Sequence, residues 1–368
     1  MKVAIIDADL IGRKKHRFPN LACEKISGYY KELGADVDLL LKYEDLDIYD
    51  EVFISKVFTD TPIPDGIVET DKIHLGGTGF FFDQAPPLPD EIEHHFPDYH
   101  LYDDWVDYQI AIKKFPAYQF KEYKDCAIGF LTRGCFRKCK FCVNQKYDHV
   151  FKHSPLSEFY DGTQKRICLL DDNFFGCGQW EEILNELIAT KKPFRFKQGL
   201  DERLLTDKKC SMLFSSKYDG DFTFAFDNIE DYDLIEAKLK MIRKYTDKLN
   251  IKFYVRVGFK GTGAEDIEDA FKRIALLQRY KCLPYIMRYR SKDDVPYEHS
   301  KYRDMYIQLC NWCNQPSLFK KKSFRQFCEA VQARMKTDKP SIATRAATLF
   351  EHDNPEIARK YFDLKFGG

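Results

Sequence analysis

Between residues 126 and 290 the chain alternates short apolar runs with longer amphipathic segments, and this alternation constrains the fold more than any other feature. The apolar runs have the length of buried strands, and the segments between them show the apolar period of helices. Repeated strand–helix alternation demands a parallel sheet, because each helix must return the chain across a sheet face. The sequence therefore predicts an α/β fold with six strand–helix units. The predicted strands are 126–131, 166–172, 194–198, 221–227, 251–258 and 283–289, and the predicted helices are 180–190, 204–214, 234–245 and 265–280.

Three cysteines follow the first predicted strand directly, with the spacing C-x3-C-x2-C at Cys135, Cys139 and Cys142. Three thiolates this close together can bind three irons of a [4Fe-4S] cube and leave the fourth iron open. A structural zinc site needs four ligands, usually in two pairs, and no matching second pair lies nearby. Disulfides are disfavoured because the apolar run 3–6 ends at Asp7, too early for a signal sequence, so a reducing cytoplasm is expected. The residues thus favour an iron–sulfur cluster, with zinc as the alternative.

The cysteine loop, with Phe141 immediately before its last cysteine, resembles the signature loop of the radical S-adenosylmethionine (SAM) superfamily. The resemblance implies that Cys135, Cys139 and Cys142 bind the cluster, that the open iron binds the methionine end of SAM, and that Phe141 lies against the adenine. It also implies reductive cleavage of SAM to a 5′-deoxyadenosyl radical, which abstracts hydrogen from a substrate. A reductant such as flavodoxin or ferredoxin would be a partner. The protein would supply position and exclude water.

The same resemblance implies that the six units form a partial (βα)6 barrel over residues 121–292, with functional residues at the carboxyl ends of the strands. The second strand ends in Asp172 and Asn173, which resemble the SAM motif of the superfamily branch that carries an N-terminal cobalamin-binding domain. Helix capping is the alternative role for both. On the resemblance, the other predicted cofactor contacts are Gln198, Arg203, Asp227 and Gly258. For Arg203, the alternative role is a surface ion pair with Asp201.

Residues 1–82 have the pattern of a small open parallel sheet with helices on its faces. The predicted strands are 3–9, 37–41, 51–58 and 72–79, with a helix at 20–33. The layout resembles the Rossmann-like cobalamin-binding domain of the same branch. Asp9 stands where the D-x-H-x-x-G motif has its cobalt-binding histidine, and His16 lies in a basic loop, so cobalamin is not expected. The stretch is also similar to an uncharacterised radical SAM group of phage and gut-bacterial genomes, which implies no substrate.

The remaining segments carry weaker signals. Residues 83–120 are predicted to be a linker or cover, and residues 293–368 a helical C-terminal region. The run Gly76–Gly79 favours a tight turn over a phosphate loop, because aromatic residues and prolines follow it. Four cysteines outside the loop stay open in role: a second metal site at Cys310, Cys313 and Cys328 would lack a visible fourth ligand, and Cys177 follows the second strand.

Composition and charge add little about the substrate. The chain has 58 basic and 58 acidic residues, which gives no overall argument for nucleic acid, and no apolar run is long enough to span a bilayer, so no membrane partner is expected. Arg288 and Arg290 flank a tyrosine after the sixth strand and would suit a nucleotide or nucleic-acid base, with a rim ion pair as the alternative. Methylthiotransferases of the superfamily carry a second cysteine triad in their N-terminal domain. This class is disfavoured here, because Cys23 is the only cysteine before Cys126.

The sequence thus predicts a cytoplasmic radical SAM enzyme, with a nucleic acid or nucleotide as one candidate substrate. The alternatives are modification of a peptide or small metabolite, and a non-catalytic protein that binds SAM or an iron–sulfur cluster.

Overall fold

The computed structural model describes residues 1–14, 18–291, 293–337 and 339–367. It divides into two compact units, Met1–Lys197 and Gln198–Gly368. Both units combine parallel sheets with helices, which confirms the α/β class. The division lies inside the segment 121–292 that the sequence predicts as one domain. His16, the histidine considered for cobalt, lies outside the described residues.

A four-stranded parallel sheet forms the N-terminal part of the first unit, in the order β2-β1-β3-β4. Its strands occupy the four predicted positions. One face packs against Cys23 and Ile26 of the long helix, whereas the other is covered by side chains such as Tyr43 and Leu46 from connecting loops. A long helix therefore covers one face only. The elements are β1 Lys2–Asp7, α1 Ala8–Gly12, α2 Leu21–Glu32, β2 Asp36–Leu39, β3 Glu51–Ser55, β4 Ile73–Gly76 and α3 Thr78–Phe81.

Local signals explain the bounds of α2. The side chain of Asn20 accepts hydrogen bonds from the backbone N–H groups of Ala22 (3.1 Å) and Cys23 (3.4 Å), which caps the helix start. Gly34, just past the helix end, has a φ of 77°, the left-handed conformation that stops helices and favours glycine.

A bend at Gly77, after β4, leads directly into the one-turn helix α3, so the glycine run opens a helix where the sequence favoured a tight turn alone. Gly77 has a φ of 97°, and a Cβ atom there would lie 2.3 Å from the carbonyl oxygen of Lys56. Close approach of two backbones therefore explains this glycine.

Residues 83–120 form a packed cover on the N-terminal sheet. Ile92, Tyr102, Val106 and Phe120 are buried in one core with Ile5 of β1. The hydroxyl of Tyr102 donates to Asp7 (3.0 Å) and accepts from the backbone N–H of Asn20 (3.2 Å). Burial raises the pKa of Asp7 to about 7. The helices from here to the first strand of the next sheet are α4 Asp90–Glu93, α5 Asp103–Ala111 and α6 Lys121–Asp125.

The first unit also contains a second parallel sheet, in the order β5-β8-β9, and a two-stranded ribbon of β6 and β7. Phe18 and Leu21 from the N-terminal part pack against Cys126, Ile128 and Cys168 of this sheet. This shared core explains why both sheets belong to one compact unit. The elements are β5 Cys126–Gly129, β6 Thr132–Arg133, β7 Phe151–Lys152, β8 Arg166–Leu169, α7 Trp180–Ala189 and β9 Phe194–Phe196.

Tyr99, a residue of the cover 83–120, also contacts the second sheet of the first unit. The hydroxyl of Tyr99 donates to the carbonyl of Phe159 (2.7 Å) and accepts from the backbone N–H of Ile128 (2.9 Å) in β5. Burial raises the pKa of Tyr99, so it keeps its proton and can donate.

The second unit contains the other three predicted strands as a parallel sheet in the order β10-β11-β12. Its helices are amphipathic; α10, for example, buries Ile267, Phe271 and Ile274. The C-terminal region is helical, as predicted. Within the described ranges, none of the helices has the length and apolar character needed to cross a bilayer. The elements are α8 Asp207–Ser215, β10 Phe222–Ala225, α9 Tyr232–Tyr245, β11 Ile251–Val257, α10 Ala264–Arg279, β12 Leu283–Arg288, α11 Arg303–Cys313, α12 Pro316–Phe319, α13 Phe324–Gln332, α14 Ile342–Asp353 and α15 Pro355–Tyr361.

Candidate functional site

The three cysteines lie on an irregular loop, residues 134–150, that starts and ends at the ribbon of β6 and β7. Gly134, the first loop residue, has a φ of 90°, and a Cβ atom there would lie 2.3 Å from the carbonyl oxygen of His149. The two ends of the loop therefore touch at a position that only glycine fits. We call residues 134–150 the cysteine loop and this contact its neck.

Asp172, which follows β8, binds both sides of the loop. Its carboxylate accepts from the backbone N–H of Gly134 (2.9 Å), just before the first cysteine, and from the side-chain amide of Asn144 (2.5 Å), just after the last. Hydrogen bonds to a carboxylate are among the stronger ones in proteins. The observed contacts of Asp172 therefore position the loop, while its predicted contact with SAM stays a prediction.

Asp171 fixes the chain just before the loop. This carboxylate is buried and accepts from the backbone N–H of Leu131 (3.3 Å) and from the backbone N–H and hydroxyl of Thr132 (2.7 and 2.6 Å). Burial raises its pKa to about 7. The sequence analysis assigned no role to Asp171 or Asn144. The acidic pair Asp171 and Asp172, directly after a buried strand, was the signal that could have pointed to Asp171.

The three thiols are half-buried, and two of them accept hydrogen bonds in the structure. The Sγ atom of Cys135 lies 3.4 Å from both the backbone nitrogen of Arg137 and the Nδ2 atom of Asn173. The Sγ atom of Cys142 lies 3.4 Å from the backbone nitrogen of Asn144. N–H donors aimed at sulfur suit thiolates, which accept and do not donate.

Asn173 also has an unmatched acceptor. The residue is 2% exposed, and its buried Oδ1 atom has no hydrogen-bond partner in the structure. A buried acceptor without a donor costs about 1–3 kcal/mol. The structure therefore places, beside Cys135, an amide oxygen that a bound ammonium or N–H group would satisfy.

Contacts within the cysteine loop hold its shape. The ammonium of Lys138 donates to the carbonyls of Gln145 (2.8 Å) and Tyr147 (2.7 Å), and the side chain of Gln145 donates to the carbonyl of Cys139 (3.3 Å). The N–H of Cys142 bonds to the carbonyl of Cys139 (2.9 Å), so Phe141 lies inside a tight turn between two of the cysteines.

The stretch around the thiols is strongly basic. Residues 132–150 include five cationic side chains and one acid, Asp148, whose carboxylate lies 2.6 Å from the ammonium of Lys138. A group that carries several thiolates is anionic, and nearby cations offset that charge. The basic residues are Arg133, Arg137, Lys138, Lys140 and Lys146.

Within the described ranges, no three His, Cys, Asp or Glu side chains are arranged to share one metal ion. A single zinc ion needs its ligands around one point. A [4Fe-4S] cube has a different requirement, since each thiolate binds a separate iron. The donors, the cations and the spacing fit the cube's chemistry.

The predicted cofactor residues of the second unit make contacts within that unit. Arg203 pairs with Asp201 (2.7 Å), the partner considered in its alternative role, and lies 3.6 Å from Asp231; the Asp201 side chain is only 6% exposed, so the pair is partly buried and does not lie on the surface. Burial raises the pKa of Asp227, whose carboxylate lies 3.8 Å from the guanidinium of Arg256. Gln198 is exposed.

The turn after β11 is fixed through Gly258. This residue has a φ of 75°, and its N–H donates to the carboxylate of Asp266 in α10 (2.7 Å). Gly258 therefore permits a left-handed turn, and the hydrogen bond to Asp266 holds that turn in place. A contact of Gly258 with the cofactor stays a prediction.

Arg288 and Arg290, the candidate substrate residues, are both exposed. The guanidinium of Arg288 lies 4.8 Å from the ring centre of Tyr297. This contact is a cation–π interaction within the unit.

The three cysteines considered for a second metal site lie in the second unit, where Cys313 and Cys328 are buried and Cys310 is half-buried. Burial raises the pKa of Cys310 to about 11 and of Cys328 to about 12, and it also raises the pKa of Cys313. Cys177 is 1% exposed and contacts the side-chain oxygen of Gln179 (3.2 Å).

Comparison with known proteins gives no relative: no protein-family model matches the chain, and no curated protein is significantly similar to it.

Proposed function

We propose that this protein is a radical SAM enzyme that binds a [4Fe-4S] cluster through Cys135, Cys139 and Cys142. The observation that carries the proposal is the environment of these thiols: a loop closed at its neck, N–H donors on two sulfurs, and five cationic side chains within residues 132–147, of which Lys138 also pairs with Asp148. When bound, the cluster and SAM together would supply a 5′-deoxyadenosyl radical for hydrogen abstraction from a substrate.

The chain's own residues then have definite tasks. The three thiolates hold three irons, and Asp171 and Asp172 keep the loop in place for them. The unmatched Oδ1 atom of Asn173 is a fitting acceptor for the amino group of SAM beside Cys135. Phe141, in the turn between two cysteines, is the aromatic group available to an adenine ring.

We also propose that the strands after residue 125 form a partial (βα)6 barrel. Six parallel strands follow residue 125, in two sheets of three, and this is the number that a partial (βα)6 barrel needs. The N-terminal four-stranded sheet would correspond to the Rossmann-like domain. A low-potential reductant such as flavodoxin or ferredoxin would supply the electron.

Anaerobic purification followed by reconstitution with iron and sulfide tests the function. We expect about four irons per chain, because three thiolates and one open iron define the cube, and release of 5′-deoxyadenosine from SAM after reduction. The triple variant Cys135→Ala, Cys139→Ala, Cys142→Ala should lose both. Cys310→Ala, which removes a half-buried thiol of the second unit, is the matched control and should keep both.

Two results would overturn the proposal. One is wild-type protein that binds no iron under these conditions, or binds a single zinc instead. The other is SAM cleavage that survives in the triple variant. A cluster that binds SAM without cleaving it would favour the non-catalytic alternative.

A further inference from the structure

Asn173 contacts a cluster cysteine directly from outside the cysteine loop. Its Nδ2 atom lies 3.4 Å from the Sγ atom of Cys135. The sequence interval between the two residues is 38, so the contact depends on the fold and not on the local chain. An asparagine amide has both a donor and an acceptor end, and only the donor end can face a sulfur that has lost its proton.

The position of Asn173 is held by several neighbours. Its backbone carbonyl accepts from the N–H of Gly176 (2.9 Å), which closes a one-turn 3-10 helix over Phe174–Gly176. Phe174 is fully buried, and its ring lies 4.5 Å from that of Phe196 in β9. The amide is therefore presented to the sulfur by a packed part of the sheet.

The cysteine loop packs against the other end of the same turn. A Cβ atom at Gly176 would lie 2.9 Å from the ring of Phe136 and 2.8 Å from a methyl group of Val150, both loop residues. The segment 173–176 and the loop thus fit each other closely, which fixes the direction of the amide N–H relative to Cys135.

An N–H donor beside a cluster sulfur has a defined electrostatic effect. Reduction adds one negative charge, which is shared by the cluster and its sulfurs, and a donor dipole stabilises the more negative state more strongly. Hydrogen bonds to the sulfurs are among the features that set cluster reduction potentials. Removing this bond should therefore lower the potential and make reduction harder.

We propose that the side-chain amide of Asn173 raises the reduction potential of the cluster through its N–H···S hydrogen bond to Cys135. This inference rests on the proposed function, since it requires the cluster to be bound by Cys135. It assigns Asn173 a task in electron uptake, separate from the predicted contact of its oxygen with SAM.

The test is a redox titration of the reconstituted protein, monitored by electron paramagnetic resonance. SAM is left out, so that the loss of a contact with SAM cannot affect the measured potential. In Asn173→Ser the shorter hydroxyl cannot reach the sulfur. We expect about a tenfold lower ratio of reduced to oxidised cluster at a fixed solution potential, which corresponds to about 59 mV for one electron. Asn173→Leu has nearly the same size and cannot donate, so its potential should fall as far.

Asn20→Ser is the matched control. Asn20 is also a buried asparagine of the first unit, whose amide donates to Ser55 (2.9 Å), and serine can still cap α2 there. The substitution Asn20→Ser should leave the reduction potential of the cluster unchanged.

The outcomes separate this inference from the function it rests on. Wild-type protein that binds no cluster overturns the proposed function and with it the inference. Normal iron and sulfide content with wild-type potentials in both Asn173 variants overturns the inference alone. If Asn173→Ser binds no cluster, the potential of Asn173→Leu decides, and a value equal to wild type rejects the hydrogen bond.

Discussion

Asp172 joins the two sides of the cysteine loop through one carboxylate, and its loss can be tested without any cofactor. In Asp172→Ala the N–H of Gly134 and the amide of Asn144 lose their partner, at about 1–3 kcal/mol for hydrogen bonds to a charged group. We expect the loop of the apoprotein to open more often, so trypsin should cleave after Arg137, Lys140 or Lys146 at least about fivefold faster.

Limited digestion followed by mass spectrometry measures this rate at each site. Asp104→Ala, which removes an exposed aspartate of α5, should leave the loop sites as slow as in wild type. Equal cleavage in both variants would show that the neck does not depend on Asp172.

Glu202 gives a prediction about pH. The carboxyl is buried, accepts from the N–H of Ala225 (3.1 Å), and has a pKa raised to about 8 by burial, with a further contribution from Asp201. Between the ordinary pKa near 4.5 and about 8, the folded chain holds a proton that the unfolded chain has released. The contribution of Glu202 to the free energy of unfolding therefore falls as pH rises through this range.

The variant Glu202→Gln keeps the shape without the titration. Its thermal midpoint should exceed that of wild type at pH 8–9, and the difference should shrink as the pH approaches 5. Glu265→Gln, at an exposed carboxylate in α10, should show no such trend. A pH-independent difference for Glu202→Gln would contradict the raised pKa.

The residues of the candidate site were predictable to different degrees. The cysteine spacing marks the loop, because thiolates that share a cluster must lie close together in this kind of loop. The contacts of Asp172 with Gly134 and Asn144 were not predictable, since they depend on how far the strand β8 lies from the loop in space. Arg203 could be read either way from sequence, and its nearest carboxylate proved to be Asp201.

At the scale of elements, the ribbon of β6 and β7 holds the cysteine loop closed. Gly134→Ala would force a Cβ atom to within 2.3 Å of the carbonyl of His149, at a φ of 90°. We expect the ribbon to separate, with a lower iron content after reconstitution and a loss of roughly 1–3 kcal/mol from backbone strain. Iron analysis and thermal unfolding measure the two effects.

Gly162→Ala is the control for that substitution. Gly162 has a similar φ of 96°, but no atom lies within 4 Å of the position of its Cβ. The substitution Gly162→Ala therefore carries the cost of a positive φ without a clash at the Cβ atom. Its iron content should stay at the wild-type level. A similar loss of iron in both variants would mean that the neck contact is unimportant.

The elements that the sequence predicted are those with a clear period. The six parallel strands after residue 125 and the helices α7 to α10 lie where the apolar pattern placed them, because burial of one face fixes that pattern. The strands β6 and β7 have two residues each, too few to show any period. The short helix α3 was missed for the same reason.

At the scale of the whole molecule, the twelve cysteines divide into the three half-buried thiols of the cysteine loop and nine others, of which all but the half-buried Cys310 are buried. Burial raises the pKa of seven thiols outside the loop, and Cys126 and Cys177 are buried too. A thiol reagent at neutral pH should therefore react rapidly with about three groups of the apoprotein, since the thiolate is the reactive form. The seven are Cys23, Cys168, Cys210, Cys282, Cys310, Cys313 and Cys328.

Stopped-flow labelling measures this division. The fast phase should disappear in the triple alanine variant of the cysteine loop, and the slow thiols should react only after denaturation. A fast phase that persists in the triple variant would show that other cysteines are exposed.

The hydroxyl of Tyr99, a residue of the cover 83–120, donates to the carbonyl of Phe159 and accepts from the N–H of Ile128, two backbone groups of the later part of this unit. During evolution, the N-terminal part could thus not be exchanged for an unrelated module without leaving these two backbone groups stranded. Any replacement would have to bring its own donor and acceptor to the same spot, so we expect the two parts of this unit to be inherited together.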